Sequence, residues 1–230
     1  MLGTIVNALS IAAGSLLGLL LKGKMPDKYN QTIMHGIGLV VMLIGIKTAL
    51  NTDAILIVIV SVALGCLMGE MLGIEERLGQ LGKWLGRRLS GDSEGLSKGF
   101  VSASLIYCVG AMAIIGSLES GLTGSHQTLF AKSIIDGIGA IFFVATLGIG
   151  VLFSAVSVLI YQGFLTITAS SLKPLLLPDV VAQMSAIGGL LIAAIGIGLL
   201  ELKTIKIGNM LPAIFIPLLY QALKGLGGIL

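Results

Sequence analysis

Residues 136–172 read DGIGAIFFVATLGIGVLFSAVSVLIYQGFLTITASSL, and no charged residue follows Asp136 until the stretch ends. A helix needs about 20 apolar residues to cross a bilayer, at ~1.5 Å per residue. The stretch is therefore too long for one ordinary crossing and slightly short for two crossings with a loop. Gly148 and Gly150 lie in its middle, and glycine is the weakest helix former after proline. The sequence predicts either one long tilted helix or two helices that meet at a glycine break.

The composition of the chain is that of a membrane protein. Of its 230 residues, 56% are hydrophobic and only 11% are charged, and the mean hydropathy is +1.05. Soluble domains carry about 25% charged residues, so this deficit places the chain in lipid. Uncharged runs recur throughout, which predicts a single transmembrane domain over residues 1–230. The net charge of +3 comes from loop residues and does not indicate a nucleic-acid partner.

The uncharged runs predict an all-α, multi-pass bundle of transmembrane helices. Besides the long stretch, apolar runs predict helices at residues 2–21, 32–50, 54–74, 99–118, 180–200 and 207–223; of these, the second contains Lys47 and the third Glu70. Leucines at three- and four-residue spacing within 75–98 predict a cytoplasmic, amphipathic helix that lies in the membrane interface. Lys and Arg concentrate in the loops after the first and third helices, so these loops are expected inside and the N-terminus outside. Residues 119–132 are expected to form an outer loop.

A weak internal repeat favours eight crossings over seven, which the distribution of basic residues does not distinguish. Two alignments give the repeat, through the pairs Gly3 and Gly150, Ala8 and Ala155, Ser10 and Ser157, Gly38 and Gly189, and Gly45 and Gly196. Residues 1–74 then form a first three-helix repeat, 99–149 two linking helices, and 150–230 a second repeat. Three crossings plus two linkers invert the second repeat, as in many secondary transporters. Seven crossings would instead give parallel repeats with one linker.

Three segments of the chain resemble a bacterial family. They are CVGAMAIIGS at 108–117, ATLGIGVLFS at 145–154 and GNMLPA at 208–213. With these segments, essentially the whole chain resembles the uncharacterised membrane proteins of domain-of-unknown-function family 554, the YdfK/YqgA type. The resemblance implies a protein of the bacterial inner (cytoplasmic) membrane. It implies no chemistry, because the family has no settled substrate.

Polar residues within predicted crossings are costly and point to function. Asp136 could bind a cation or carry a proton, or it could cap a helix N-terminus at the outer surface. Glu70 could take part in coupling, or it could reach the cytoplasmic interface beside a basic residue. Asn7 and Asn209 could bind a solute or join helices by hydrogen bonds. Asn209 is the better candidate, because Pro212 follows it and frees a backbone carbonyl.

Small and polar residues in two other segments could border a solute. The run from Gly110 to Ser117 either packs closely against another helix or forms a thin wall beside a solute. Tyr161 and Gln162, deep in the second half of the long stretch, could line the same cavity. The sequence has no Ser/His/Asp set, no Walker A loop and no cluster with metal-ligand spacing, so we expect no enzyme activity, cofactor or metal site.

The pattern favours a secondary transporter of a small solute or ion, with a central site where the repeats join. Two alternatives stay open: an oligomeric channel-like pore, and a structural or regulatory membrane protein that transports nothing. The expected partners are the lipid bilayer, the solute or ion, and a second copy of the chain in a homo-oligomer, most simply a dimer. Candidates for the pathway are Asn7, Glu70, Gly110, Ser117, Asp136, Gly148, Gly150, Tyr161, Gln162, Asn209 and Pro212.

Overall fold

The protein is a bundle of α-helices with one 3-10 helix. The computed structural model describes residues 1–21, 27–77, 80, 93–108 and 111–227, and none of these lies in a β-strand. The helices are α1 (Leu2–Leu21), α2 (Asp27–Ala49), α3 (Ile55–Leu72), α4 (Ser93–Cys108), α5 (Ala111–Leu122), α6 (Gln127–Leu147), α7 (Gly150–Ile167), α8 (Ala169–Leu172), α9 (Pro178–Leu199), the 3-10 helix η1 (Ile207–Phe215) and α10 (Ile216–Gly227). The predicted all-α fold is confirmed. Most of the predicted interfacial helix at 75–98 lies outside the described residues.

Several of the helices can cross a membrane. Among the described residues, five are long and apolar enough: Leu2–Leu20, Ile55–Leu72, Gln127–Leu147, Gly150–Ile167 and Pro178–Leu199. The pair Gly95–Cys108 and Met112–Leu122 makes a sixth if it is counted as one bent crossing. Their outward faces carry exposed apolar side chains, such as Leu56 and Met71. Such extensive exposed apolar surface fits contact with lipid, so the chain is a multi-pass membrane protein.

The long uncharged stretch is divided at Gly148. Helix α6 ends at Leu147, and α7 begins at Gly150. Gly148 has φ +75° and ψ −169°, a backbone conformation that only glycine adopts readily. Its N–H donates to the carbonyl of Val144 and so closes the last turn of α6. Of the two predicted forms of the stretch, the structure has the form with two helices and a glycine break.

The predicted outer loop at 119–132 is wrong, because α6 already begins at Gln127 and takes Lys132 into the helix. Lys132 can enter because Asp136, one turn further on, neutralises its ammonium at a distance of 2.9 Å. Asp136 is therefore not a helix cap, and the N-cap position belongs to His126. With 21 residues, α6 is long enough for a full crossing.

Two crossings that the sequence predicts as continuous helices are interrupted. In place of one helix at 99–118, α4 ends at Cys108 and α5 begins at Ala111, and the two helices are inclined by 61°. In place of one helix at 207–223, η1 is followed by α10. Pro212 lies inside η1, and proline has no N–H for the i→i−4 hydrogen bond of an α-helix. The chain forms tighter 3-10 turns there instead.

Glycines set how α2 packs against α9. Gly45 of α2 lies against the backbone at Gly189 of α9, and Gly38 lies close to Gly196. Residue numbers rise along α2 while those of their partners fall along α9, so the two helices are antiparallel. Glycine allows this close approach because it has no side chain. Helix α9 lies at the centre of the bundle, with 72% of its crossing buried.

Close contacts also give the directions of two other helix pairs. Helix α3 and η1 run antiparallel, whereas α1 and α6 run parallel. The contacts are Gly65 with Ala213 and Gly69 with Asn209 for the first pair, and Gly14 with Gly137 and Gly18 with Ile141 for the second. Helix α7 packs against both α1 and α4. These directions determine which helix ends meet around the polar groups described below.

Candidate functional site

The interrupted segments α4–α5 and η1–α10 border one cavity between the helices. The cavity has a volume of about 100 Å³. Helices α7 and α9 complete its wall, which includes Cys108, Ile114, Tyr161, Ser185, Leu211 and Ile214. Helix α4 reaches the cavity with its last residue, and η1 reaches it on both sides of Pro212. The cavity therefore lies where two segments that the sequence predicts as continuous helices are interrupted.

The cavity is almost entirely apolar. A water molecule occupies about 30 Å³ in the liquid, and an engineered apolar cavity of about 150 Å³ binds benzene. On that scale, the cavity holds a molecule of a few heavy atoms. Ser185 adds one polar group, because its Oγ is buried and has no hydrogen-bond partner among the described residues. A buried hydroxyl without a partner is costly, and a polar group of a ligand can satisfy it.

A set of buried polar side chains lies between α1, α6 and α7. Lys132 Nζ lies 3.0 Å from Oδ1 and 2.9 Å from Oδ2 of Asp136. Asn7 Nδ2 donates to Oδ2 of Asp136 at 3.0 Å and to Oε1 of Gln162 at 3.4 Å. The side chains of Lys132 and Asp136 are only 9% and 6% exposed. We call Asn7, Lys132, Asp136 and Gln162 the buried cluster.

Helical spacing brings the ion pair of the buried cluster together. Lys132 and Asp136 are four residues apart in α6, which places their side chains on the same face. Asp136 lies about 14 Å from the start of α6, at ~1.5 Å per residue, and so well inside the crossing. Asn7 Oδ1 and Gln162 Nε2 have no hydrogen-bond partner in the part of the chain that the structure describes. The buried cluster therefore keeps a free acceptor and a free donor beside its ion pair.

Two separate sets of polar contacts lie between the buried cluster and the end of the bundle where α1 begins. Thr4 Oγ1 and Thr166 Oγ1 lie 3.5 Å apart, one turn from Asn7 along α1. Further out, the Met1 amino group lies 3.5 Å from Ser120 Oγ, which lies 2.9 Å from His126 Nδ1. We call Met1, Thr4, Ser120, His126 and Thr166 the polar track. Hydroxyl and imidazole groups can pass protons, directly or through water.

A second set of polar contacts joins the C-terminal end of α3 to the N-terminal end of η1. Lys206 Nζ lies 2.7 Å from Oε1 of Glu70, and Asn209 Nδ2 donates to the other carboxylate oxygen. Asn209 Oδ1 accepts from the backbone N–H of Glu75 at 2.8 Å, and the Gly208 N–H donates to the Glu75 carboxylate at 2.6 Å. The hydrogen bond that Lys206 donates to Glu70, and then the charge of that carboxylate, raise the pKa of Lys206 above its ordinary value. We call these residues the surface clasp.

Three pathway candidates from the sequence, Asn7, Asp136 and Gln162, meet in the buried cluster. Sequence reasoning missed Lys132, because it placed this residue in an outer loop. The signal that could have found it is its spacing of four from Asp136, which is the spacing of an ion pair on one helix face. Tyr161, next to Gln162, faces the cavity instead.

The remaining candidates lie in different places. Glu70 and Asn209 belong to the surface clasp, Gly148 and Gly150 form the break between α6 and α7, and Pro212 interrupts η1 beside the cavity. Ser117 is buried in α5, and its hydroxyl has no partner among the described residues. Gly110 lies outside the described residues. Within the described ranges, no group of three or more His, Cys, Asp and Glu side chains could hold a metal ion.

Comparisons with known proteins give similarity over nearly the whole chain. Residues 2–222 match the model of a family described as "Protein of unknown function (DUF554)". The chain is 29% identical over 221 residues to the "Uncharacterized membrane protein YdfK" of Bacillus subtilis (strain 168), and the match covers 94% of each protein. It is also 29% identical over 220 residues to the "Uncharacterized protein YqgA" of Escherichia coli (strain K12), again over 94% of each. No solved structure matches the chain.

Proposed function

Since the chain belongs to the DUF554 family of proteins of unknown function, we propose its function from the arrangement of its helices: it is a secondary transporter of a small solute, and not an enzyme. One observation carries the proposal, namely that two interrupted segments that the sequence predicts as crossings, α4–α5 and η1–α10, border the same cavity. Secondary transporters bind their solutes near the bilayer midplane, between discontinuous helices of this kind.

The proposal includes two inverted three-helix repeats. In the sequence alignment, Gly38 corresponds to Gly189 and Gly45 to Gly196. A two-fold axis between α2 and α9 would replace each glycine by its equivalent. The contact of Gly45 with Gly189 would then become a contact of Gly196 with Gly38, and both contacts occur. The equivalent helices α2 and α9 are antiparallel, which is the arrangement that inverted repeats require. In parallel repeats, equivalent helices would run in the same direction.

The proposed topology has eight crossings in the bacterial inner membrane, with both chain ends outside. It counts α4–α5 as one crossing and η1–α10 as another. Helices α1–α3 form the first repeat, α7, α9 and η1–α10 form the second, and α4–α5 and α6 link them. Eight alternating crossings require α1 and α6 to be parallel and α3 and η1 to be antiparallel, and the packing of both pairs supports this.

The wall of the cavity favours an uncharged solute. The wall residues within the described ranges include no charged side chain, and burying an unpaired ion among apolar groups is very costly. Ser185 offers a single buried hydroxyl. The solute that fits is a molecule of a few heavy atoms with an apolar body and one polar group.

A stability screen followed by transport in proteoliposomes tests the proposal. A solute of this class should raise the melting temperature of the wild-type protein and be taken up. Ser185→Leu fills the cavity and should abolish both effects, whereas Ser171→Leu, at an exposed position of α8, should preserve them.

Counterflow separates transport from the alternatives. Excess unlabelled solute inside the vesicles should drive accumulation of labelled solute from outside, which a channel-like pore does not do. If the solute crosses the membrane but counterflow is absent, the protein is a channel-like pore. Uptake that Ser185→Leu leaves unchanged would remove the cavity from the pathway. A screen without any stabilising or transported molecule would favour a structural or regulatory role.

A further inference from the structure

We propose that the buried cluster is a proton-binding site, reached along the polar track, and that it does not bind a metal cation. The inference rests on the proposed function only for the use of the proton, which is to couple the movement of the solute. Binding itself is a property of Asn7, Lys132, Asp136 and Gln162. It can therefore be tested on the protein without any solute.

The occupied carboxylate excludes a metal cation. Both oxygens of Asp136 are already in use: Oδ1 accepts from Lys132, and Oδ2 accepts from Asn7 and lies 2.9 Å from the Lys132 ammonium. A metal ion at these oxygens would lie beside an ammonium group, and two positive charges repel strongly at low dielectric. The ammonium also neutralises the carboxylate, which removes the main attraction for a cation.

A proton can bind where a metal ion cannot, because it needs no coordination sphere. When a proton binds one oxygen of the Asp136 carboxylate, that oxygen changes from an acceptor into an O–H donor. The ion pair then ends, and the charge of Lys132 remains on its ammonium. The new O–H and the released ammonium both need an acceptor, and Asn7 Oδ1 is free beside them. Gln162, whose Oε1 accepts from Asn7, keeps a free donor at Nε2.

Few other ionisable groups surround the site. Helix α1, between Leu2 and Leu21, carries no charged side chain. The described ionisable side chains on the other helices packed against α6 are Tyr107, Cys108 and Lys98 on α4, Glu119 on α5, Tyr161 on α7, and His35 and Lys47 on α2. Among the described residues, only Lys132 forms an ion pair with Asp136. The polar track, from Met1 to Thr166, supplies the route by which a proton reaches this pair from the outer end of α1.

Infrared spectroscopy of the purified full-length protein tests the site. A protonated carboxylic acid has a carbonyl band that a carboxylate lacks, and its growth can be followed as the pH falls. The wild-type spectrum should contain such a band that is absent from Asp136→Asn and retained in Asp179→Asn, whose carboxyl group is exposed at the start of α9. A band unchanged by Asp136→Asn would overturn the proposal.

A second variant covers the case in which Asp136→Asn does not fold. Asn7→Ala removes the donor to the charged carboxylate and the free acceptor offered to its protonated form, so the pH at which the band appears should change. Asn51→Ala, in the exposed turn after α2, should leave the pH dependence unchanged. A band that responds equally to both variants would refute the assignment.

Metal binding is tested by melting temperature in sodium, potassium or calcium chloride, compared with choline chloride at the same ionic strength. No cation should stabilise the protein. Stabilisation by one cation that is lost in Asn7→Ala would make the buried cluster a metal site and overturn the proposal. Both experiments are done without solute, so their failure leaves the proposed transport function intact. Loss of counterflow with an intact infrared band would instead reject transport and keep the proton site.

Discussion

Removing one partner of the buried ion pair should destabilise the protein far more than removing both. Lys132→Met leaves the Asp136 carboxylate in a site where the side chain is only 6% exposed. Asp136→Asn leaves the Lys132 ammonium without its counter-charge. Breaking a buried pair from either side costs about 3–5 kcal/mol in the free energy of unfolding. The double variant buries no charge, and such replacements are often neutral or stabilising.

The magnitude follows from burial, and the same protein contains a control. The coupling energy of the double-mutant cycle should be at least ~3 kcal/mol, more than a hundredfold in the folding equilibrium. The pair of Lys206 and Glu70 has a similar separation of 2.7 Å, but its side chains are 65% and 59% exposed. A cycle with Lys206→Met and Glu70→Gln should give a much smaller coupling, because water screens an exposed pair.

Unfolding in mixed micelles, followed by circular dichroism, measures the free energy of unfolding for the single and double variants of each pair. In the cycle with Lys132→Met and Asp136→Asn, both single variants should have a reduced free energy of unfolding, and the double variant should have one near that of the wild type. If the double variant is as unstable as the less stable single variant, the stability lost comes from other contacts of these two side chains and not from an unpaired buried charge. If both cycles give the same small coupling, water reaches Lys132 and Asp136, and the reasoning about burial is refuted.

Three further changes test the fold. A reporter fused after residue 230 should lie on the same side of the membrane as one at the N-terminus, and opposite sides would contradict eight crossings. Gly45→Ala should reduce the free energy of unfolding by about 1–3 kcal/mol, because the added methyl group would clash with the backbone of Ala193. Gly36→Ala, in the same helix, is the control: its methyl group would point into open space, so the change should be neutral or slightly stabilising. Gly148→Ala should lower the free energy of unfolding by about 1–2 kcal/mol in the same assay, because its φ is +75°, and an unchanged value would argue against the break.

Much of the fold was predictable, because hydropathy and glycine act locally. Long uncharged runs predict helices, and the glycines at 148 and 150 predict the break that separates α6 from α7. The start of α6 was missed because Lys132 looks like a loop residue until its partner Asp136 is considered. The bend between α4 and α5 was missed for a different reason. Hydropathy reports that a segment is apolar, but it does not report the path of the backbone.

The buried cluster was predictable in its members but not in its assembly. Asn7, Asp136 and Gln162 stand out because each is polar within an apolar run. Their meeting depends on α1 packing against both α6 and α7, and a single sequence does not contain that information. Asn209 shows the opposite case. The proline after it suggested a solute pathway, but its amide joins Glu70 in the surface clasp.

The proposed repeat also explains why coupling would reside in only one half of the molecule. With Gly3 equivalent to Gly150, the two-fold axis exchanges Asn7 for Ser154 and Gln162 for Ser15. Both serines are buried, but a hydroxyl is shorter than an amide, and the ionisable pair of Lys132 and Asp136 lies on α6, which belongs to neither repeat. The proposed repeats would therefore share a backbone arrangement but not their polar side chains. In the proposed transporter, a symmetric framework would let the cavity open toward either side, and proton binding at the Lys132–Asp136 pair would couple that exchange to a proton gradient.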